Sequence, residues 1–146
     1  MGDPTDGIAP RTRGSMHQHP VRIYYEDTDF SGVVYHANYL RYFERAREHL
    51  IGPDELVRLW KEDGVGFVVY KAQLHFRAGA VHGDEIVIRT TLGEGSRYRA
   101  VFQQAAVRDG VVLVEGTVEL ACVGRDNKLV PIPESVIRRV TGGGAA

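Results

Sequence analysis

One cysteine, Cys122, occurs in the 146 residues, so no intramolecular disulfide can form and a reducing compartment is the simpler expectation. No apolar run approaches the ~20 residues that a membrane-spanning helix needs, and the first residues lack the apolar stretch of a secretory leader. A cytoplasmic protein without a membrane span is expected. An excess of either charge is also missing: 18 Lys and Arg stand against 19 Asp and Glu, for a formal charge of -1. That balance shows no bias towards nucleic acid or bilayers, although local basic clusters can still grip a phosphorylated ligand. The Gly-x-Ser-x-Gly turn of serine hydrolases is absent, so Ser31 is a poor nucleophile candidate. Metal-ligand spacing is missing too: His17 and His19 form a His-x-His pair with no third ligand nearby in sequence, and His49, His75 and His82 show no pattern.

What remains is an ordinary domain composition, 43% hydrophobic and 25% charged, in a length that suits one core. Residues 1–19 are rich in Gly, Pro, Arg, Ser and His and poor in apolar side chains, which predicts a disordered tail. From about Pro20 to Glu26, Val21, Ile23 and Tyr25 alternate with polar neighbours at the period of a half-buried strand. Beyond His36, the residues Leu40, Phe43, Ala46, Arg47 and Leu50 recur at helical spacing, and Gly52-Pro53 stops the helix. A shorter amphipathic piece follows, from Asp54 to about Lys61. Four further strands are expected, centred on Val68 to Phe76, Ile86 to Leu92, about Arg97 to Arg108, and Val112 to Cys122, with Asp109-Gly110 as a tight hairpin. A short helix after Pro133 and a loose 142–146 tail complete the chain. One helix among strands joined by short turns is an α+β order with an antiparallel sheet.

Between the first strand and the helix lies the densest chemistry: Tyr24-Tyr25-Glu26-Asp27-Thr28-Asp29-Phe30-Ser31-Gly32-Val33-Val34-Tyr35-His36. A plain connector needs one capping residue and a glycine. Two aspartates, a hydroxyl and an imidazole exceed that need. Asp27 has two readings, a carboxylate with a chemical role or one that ties up backbone N–H groups in a turn. Cys122 falls on the apolar face of its strand, which suits an inert buried thiol.

The pattern Tyr25-x-Asp27-Thr28-Asp29-x-x-Gly32-x-Val34-Tyr35-His36-x-x-Tyr39, followed by Phe43-Glu44-x-Ala46-Arg47, resembles the signature of hotdog-fold acyl-CoA thioesterases. Within them it is most similar to the YbgC type of the Tol–Pal cluster, related to 4-hydroxybenzoyl-CoA thioesterase. The likeness runs from about Val21 to about Pro133. It implies one hotdog domain over 20–141: a curved antiparallel sheet of about five strands wrapped around the helix Ala37 to Ile51. It also implies a homodimer or homotetramer with sites at subunit boundaries, an acyl-CoA substrate or one carried by an acyl carrier protein, and no cofactor.

Carried onto this chain, the resemblance makes Asp29 the catalytic carboxylate, as general base or nucleophile, and His36 a second active residue. Tyr25 is a third candidate, as a hydroxyl donor or as packing beneath the site. The thioester carbonyl would be polarised by N–H groups where the helix begins, at His36 with Tyr35 and Ala37 beside it. Gly32 would allow close approach. Arg97 and Arg99 would grip the phosphates of CoA. Two other functions stay open: a hotdog dehydratase or hydratase pairing Asp29 with His36, and a non-catalytic acyl-CoA-binding module that would not need Asp29.

Overall fold

The computed structural model describes residues 13–142; of the tails expected at 1–19 and 142–146, the parts at 1–12 and 143–146 lie outside the described residues. The strands are β1 (Arg13–Arg22), β2 (Gly66–Phe76), β3 (Glu85–Leu92), β4 (Arg99–Arg108) and β5 (Val111–Val123). They form one antiparallel sheet in the order β1-β3-β4-β5-β2. Helix α1 (Asn38–Ile51) packs on one face of this sheet, against β1, β3 and β4; α2 (Pro53–Arg58) and α3 (Glu134–Val140) sit beside its C-terminal end. This is the hotdog arrangement that the resemblance implied.

Local chemistry accounts for most of the punctuation. Asp109 and Gly110 both take positive φ, 51° and 80°, which is what a two-residue hairpin between right-twisted strands requires. The C-terminal end of α1 is set by Gly52 at φ 107°, followed by Pro53 at the first position of α2. The buried stripe of α1 keeps the expected Phe43, Ala46 and Arg47 and adds Tyr39, Tyr42 and Ile51, whereas Leu50 is half-buried and Leu40 is exposed. Tyrosine rings bury as much apolar area as a leucine, each contributing on the order of 2 kcal/mol, so Tyr39 and Tyr42 take the place in the stripe that was expected of Leu40.

Two further expectations need correction. The chain is already in β1 at Arg13, so residues 13–19 are a strand and not part of a disordered tail. An edge strand needs only backbone pairing and a modest inner face: His17 pairs opposite Thr90 and His19 opposite Ile88, and His19 stacks on His49 of α1 with ring centroids 4.4 Å apart. Burial and then the charge of His49 lower the pKa of both His17 and His19. The first strand also ends earlier than its alternation suggested. Tyr25 to Asp27 form a 3-10 turn instead of continuing it, because the Asp27 carboxylate accepts the Tyr24 N–H at 2.8 Å and closes the chain on itself.

Helix and sheet are registered by a buried polar cluster. Gln104 of β4 donates to the Phe43 carbonyl (3.0 Å) and the Thr90 hydroxyl (2.9 Å), and its own carbonyl accepts from the Arg47 guanidinium (3.0 Å). Removing one member leaves buried partners unsatisfied, which costs more than the bond itself is worth. Gln104→Leu is expected to lower stability by roughly 3 kcal/mol. Urea unfolding checks this, and a midpoint equal to wild type would show that the cluster does not hold the helix in place.

Candidate active site

The loop between β1 and α1 is held from several sides. Asp27 serves it twice: its carboxylate caps the 3-10 turn at Tyr24, and its backbone carbonyl accepts from both the Tyr35 N–H and the Asn38 side-chain amide, each at 3.0 Å. Beyond Asp27 the chain makes a narrow hairpin. Thr28 bridges Val34, the Asp29 N–H donates to Val33 O (2.9 Å), and the Gly32 N–H donates to Asp29 O (3.0 Å). The hairpin is sewn to the segment before β3 by Val34 N–H to Ala80 O (2.9 Å) and a Val33 to Val81 bridge. Beneath it, the buried Tyr39 hydroxyl accepts the Ala80 N–H at 3.2 Å.

This framework displays Asp29. Its carboxylate is exposed, and Oδ1 accepts both the Ser31 hydroxyl (2.6 Å) and the Ser31 N–H (2.9 Å). Those bonds, hydroxyl first, hold its pKa below the usual carboxylate range, with a smaller contribution from the charge of His36. The group is therefore ionised near neutrality and lies within electrostatic reach of His36. The His36 ring lies 4.7 Å from that of Tyr35 and meets Phe76 edge-on at 6.1 Å. Beside it is an open groove of about 270 Å³, with Val34, Tyr39, Phe76 and Gly79 among its walls.

The start of α1 sorts the N–H groups. Tyr35 has donated its N–H to Asp27, and Asn38, Tyr39 and Leu40 donate to the carbonyls of Tyr35, His36 and Ala37. Among the described residues, the N–H groups of His36 and Ala37 have no such partner. These two are the open donors at the positive end of the helix dipole, and Tyr35 is not one of them. Gly32 has φ 89° and no heavy atom within 4 Å of where a Cβ would stand, so the turn conformation calls for glycine there, not a close approach by the protein. Tyr25 is exposed, with its ring 5.9 Å from His82; it does not pack beneath Asp29.

Arg97 and Arg99 are not brought to this loop within one copy of the chain. They lie at the rim of a separate apolar cavity of about 350 Å³ between α3 and the sheet, lined by Leu92, Phe102, Ile132 and Val136 among others. Arg99 is level with Ala121 of β5, which is opposite Val68 at the start of β2, whereas His36 touches Phe76 at the far end. At ~3.3 Å per residue the two levels are roughly 25 Å apart. The Arg99 guanidinium rests 5.0 Å from the Tyr70 ring. Burial pushes the Cys122 thiol up to about 11, consistent with an inert side chain. No group of three His, Cys, Asp or Glu side chains among the described residues is arranged to hold a metal ion, and no helix there is long and apolar enough to cross a membrane.

Comparison with known proteins points to one family. A model described as the thioesterase-like superfamily matches residues 23–140. The acyl-CoA thioesterase YbgC of Haemophilus influenzae is 37% identical over 80% of this chain and 88% of its own. The acyl-CoA thioester hydrolase YbgC of Escherichia coli O6:H1 is 34% identical over 84% and 94% respectively. Among solved structures, a probable thioesterase from Bartonella henselae superposes with a TM-score of 0.77 at 31% identity, covering 82% of this chain and 100% of the other.

Asp27 and Asp29 should separate cleanly on mutation. Asp27→Asn is expected to lower stability by about 1 kcal/mol, because a weaker acceptor replaces a charge-assisted one at the Tyr24 N–H. Thermal melts and thiol-release rates of Asp27→Asn and Asp29→Asn check this, and an unchanged melt combined with lost turnover in Asp27→Asn would reverse the two roles.

Proposed function

The chain belongs to the thioesterase-like superfamily, in its YbgC-type acyl-CoA thioesterase branch, and we propose that it hydrolyses acyl-CoA to free acid and CoA with Asp29 as the working carboxylate. One observation carries this reading: an exposed, ionised carboxylate shares a short loop with the open N–H groups of His36 and Ala37 at a helix start. A thioester carbonyl lying over those N–H groups has its developing negative charge met by preorganised donors. Asp29 then activates water as a general base, or adds to the carbonyl carbon as a nucleophile. The thiolate leaves readily, since a thiol pKa of about 8.5 asks for little help from an acid. His36 orients Asp29 or the water from the side of the groove, and the exposed Tyr25 of the same loop is offered as a further hydroxyl donor. Gly32 supports the turn that presents Asp29.

The substrate's nucleotide end is proposed to come to Arg97 and Arg99 of a second copy. β2 closes the sheet order, and it exposes Val68, Val69, Tyr70 and Phe76, an edge that a soluble monomer would be expected to cover. Antiparallel pairing of two such edges across a two-fold axis sets the Val68 end of one strand against the Phe76 end of the other. The arginines of one copy then stand level with the His36 loop of the other. A homodimer of this kind supplies two complete sites, which is the reason for preferring it to a catalytic monomer.

Asp29→Asn is expected to keep its fold, at a modest cost in melting temperature from the weakened Ser31 bonds, and to lose most thiol release from a panel of acyl-CoAs, because the amide can serve as neither base nor nucleophile. Turnover near wild type would remove Asp29 from the mechanism. Enoyl-CoA hydration measured on the same samples tests the competing hydratase reading.

A further inference from the structure

We infer that Ser31 is a positioning residue for the reaction: by holding Oδ1 of Asp29 with both its hydroxyl and its N–H, it fixes the carboxylate plane and reserves Oδ2 for the substrate. This rests on the proposed role of Asp29. The sequence offered Ser31 only as an unconvincing nucleophile, and the structure gives it a different task.

Three features of the loop point to that task. First, the two bonds from Ser31, at 2.6 and 2.9 Å, converge on the same oxygen. Among the described residues, none makes a hydrogen bond to Oδ2. Second, the backbone beneath is closed on both sides of Asp29, by its N–H to Val33 O and its carbonyl to the Gly32 N–H. The main chain therefore cannot turn to compensate, and the remaining freedom is rotation of the carboxylate, which Ser31 removes. Third, both residues are exposed, so the pair is not needed to satisfy groups shut away from water. A loop that only had to fold could leave Oδ1 to solvent.

The chemical consequence has two opposing parts. Hydrogen bonds to Oδ1 withdraw charge, which lowers the pKa and weakens Oδ2 as a base or nucleophile. Against that, a carboxylate whose plane is set loses little orientational freedom on reaching the reacting geometry, and orientation is among the larger contributions available to an enzyme. In either route the free oxygen is the one that acts. As a base, Oδ2 takes a proton from water while the water oxygen adds to the thioester carbon; the tetrahedral adduct then breaks its C–S bond to release the free acid and CoA thiolate, and the proton on Oδ2 passes to the thiolate or to solvent, which restores the carboxylate. As a nucleophile, Oδ2 adds to that carbon, CoA thiolate leaves, and water cleaves the mixed anhydride to the free acid and the restored carboxylate.

The test compares wild type, Ser31→Ala and Ser31→Thr for kcat, KM and the Asp29 carboxyl titration followed by NMR. Ser31→Ala is expected to raise the Asp29 pKa, because the larger of the two depressing bonds is gone. It should also lower kcat roughly tenfold with KM unchanged, as expected when an interaction that matters only in the transition state is lost. Ser31→Thr keeps the hydroxyl and should restore both readouts, which a merely structural serine would not do so selectively. In an Asp29→Asn background, Ser31→Ala should change the residual rate no further.

A raised pKa with kcat unaltered would overturn the inference. So would a loss confined to KM, which would make Ser31 a substrate contact. A full effect of Ser31→Ala in the Asp29→Asn background would show that Ser31 acts without Asp29. The reading of Asp29 itself fails separately, by an active Asp29→Asn variant, so the two failures are distinguishable.

Discussion

The backbone carbonyl of Asp27 accepts two hydrogen bonds, from the Tyr35 N–H and from the Asn38 side chain, and the candidate site depends on that convergence. A loop leaving an edge strand and entering a buried helix has many ways to arrive. Tying its first turn to the residues on either side of the helix start leaves one. The Thr28 to Gly32 hairpin then projects from a closed base, and Asp29 stands at a set distance from the helix dipole. A single acceptor thus couples the chain's direction to the placement of a charge. Because Tyr35 spends its N–H there, the open donors fall at His36 and Ala37.

That precision needs a helix that does not shift on its sheet. Apolar packing of Tyr39, Tyr42, Phe43 and Ala46 supplies most of the attraction, but such contacts tolerate sliding. The Gln104 cluster does not, since every hydrogen bond in it is directional and its members are buried. Burial lowers the Arg47 pKa, a sign of what desolvating the guanidinium costs. Helix register at one end therefore supports loop geometry at the other. Tyr39 links the two, being part of the core and also the acceptor for the Ala80 N–H under the hairpin.

Much of this was legible in residue order. Alternation located β2 to β5, and Asp109-Gly110 announced its hairpin, because those patterns report local steric preferences; burial follows the pattern in β3, whereas in β2 Val68, Tyr70 and Phe76 stay exposed. β1 was missed over 13–19, since a strand pairing along one edge and resting histidines on a helix leaves no apolar alternation to count. Tyr25 was assigned to the strand because the period of Val21 and Ile23 runs through it; the capping bond from Asp27 breaks the strand, and no period records such a bond. The types of residue at the site were readable, but which N–H groups remain open was not, as that depends on Asp27 reaching across the loop. Nor could spacing reveal that Arg97 and Arg99 sit at the opposite end of the sheet from His36.

That last separation makes the account depend on two copies acting together, and subunit mixing tests it directly. Asp29→Asn and Arg97→Ala/Arg99→Ala proteins, each nearly inactive at acyl-CoA concentrations below KM, are unfolded together and refolded as a one-to-one mixture. Each mixed dimer has one site with an intact Asp29 from one copy and intact arginines from the other, and a second site with neither. The mixture is predicted to recover about a quarter of wild-type activity, since random pairing makes half of the dimers mixed. Activity no greater than the average of the two parents would contradict it, and would mean that the arginines do not serve the Asp29 of the other copy.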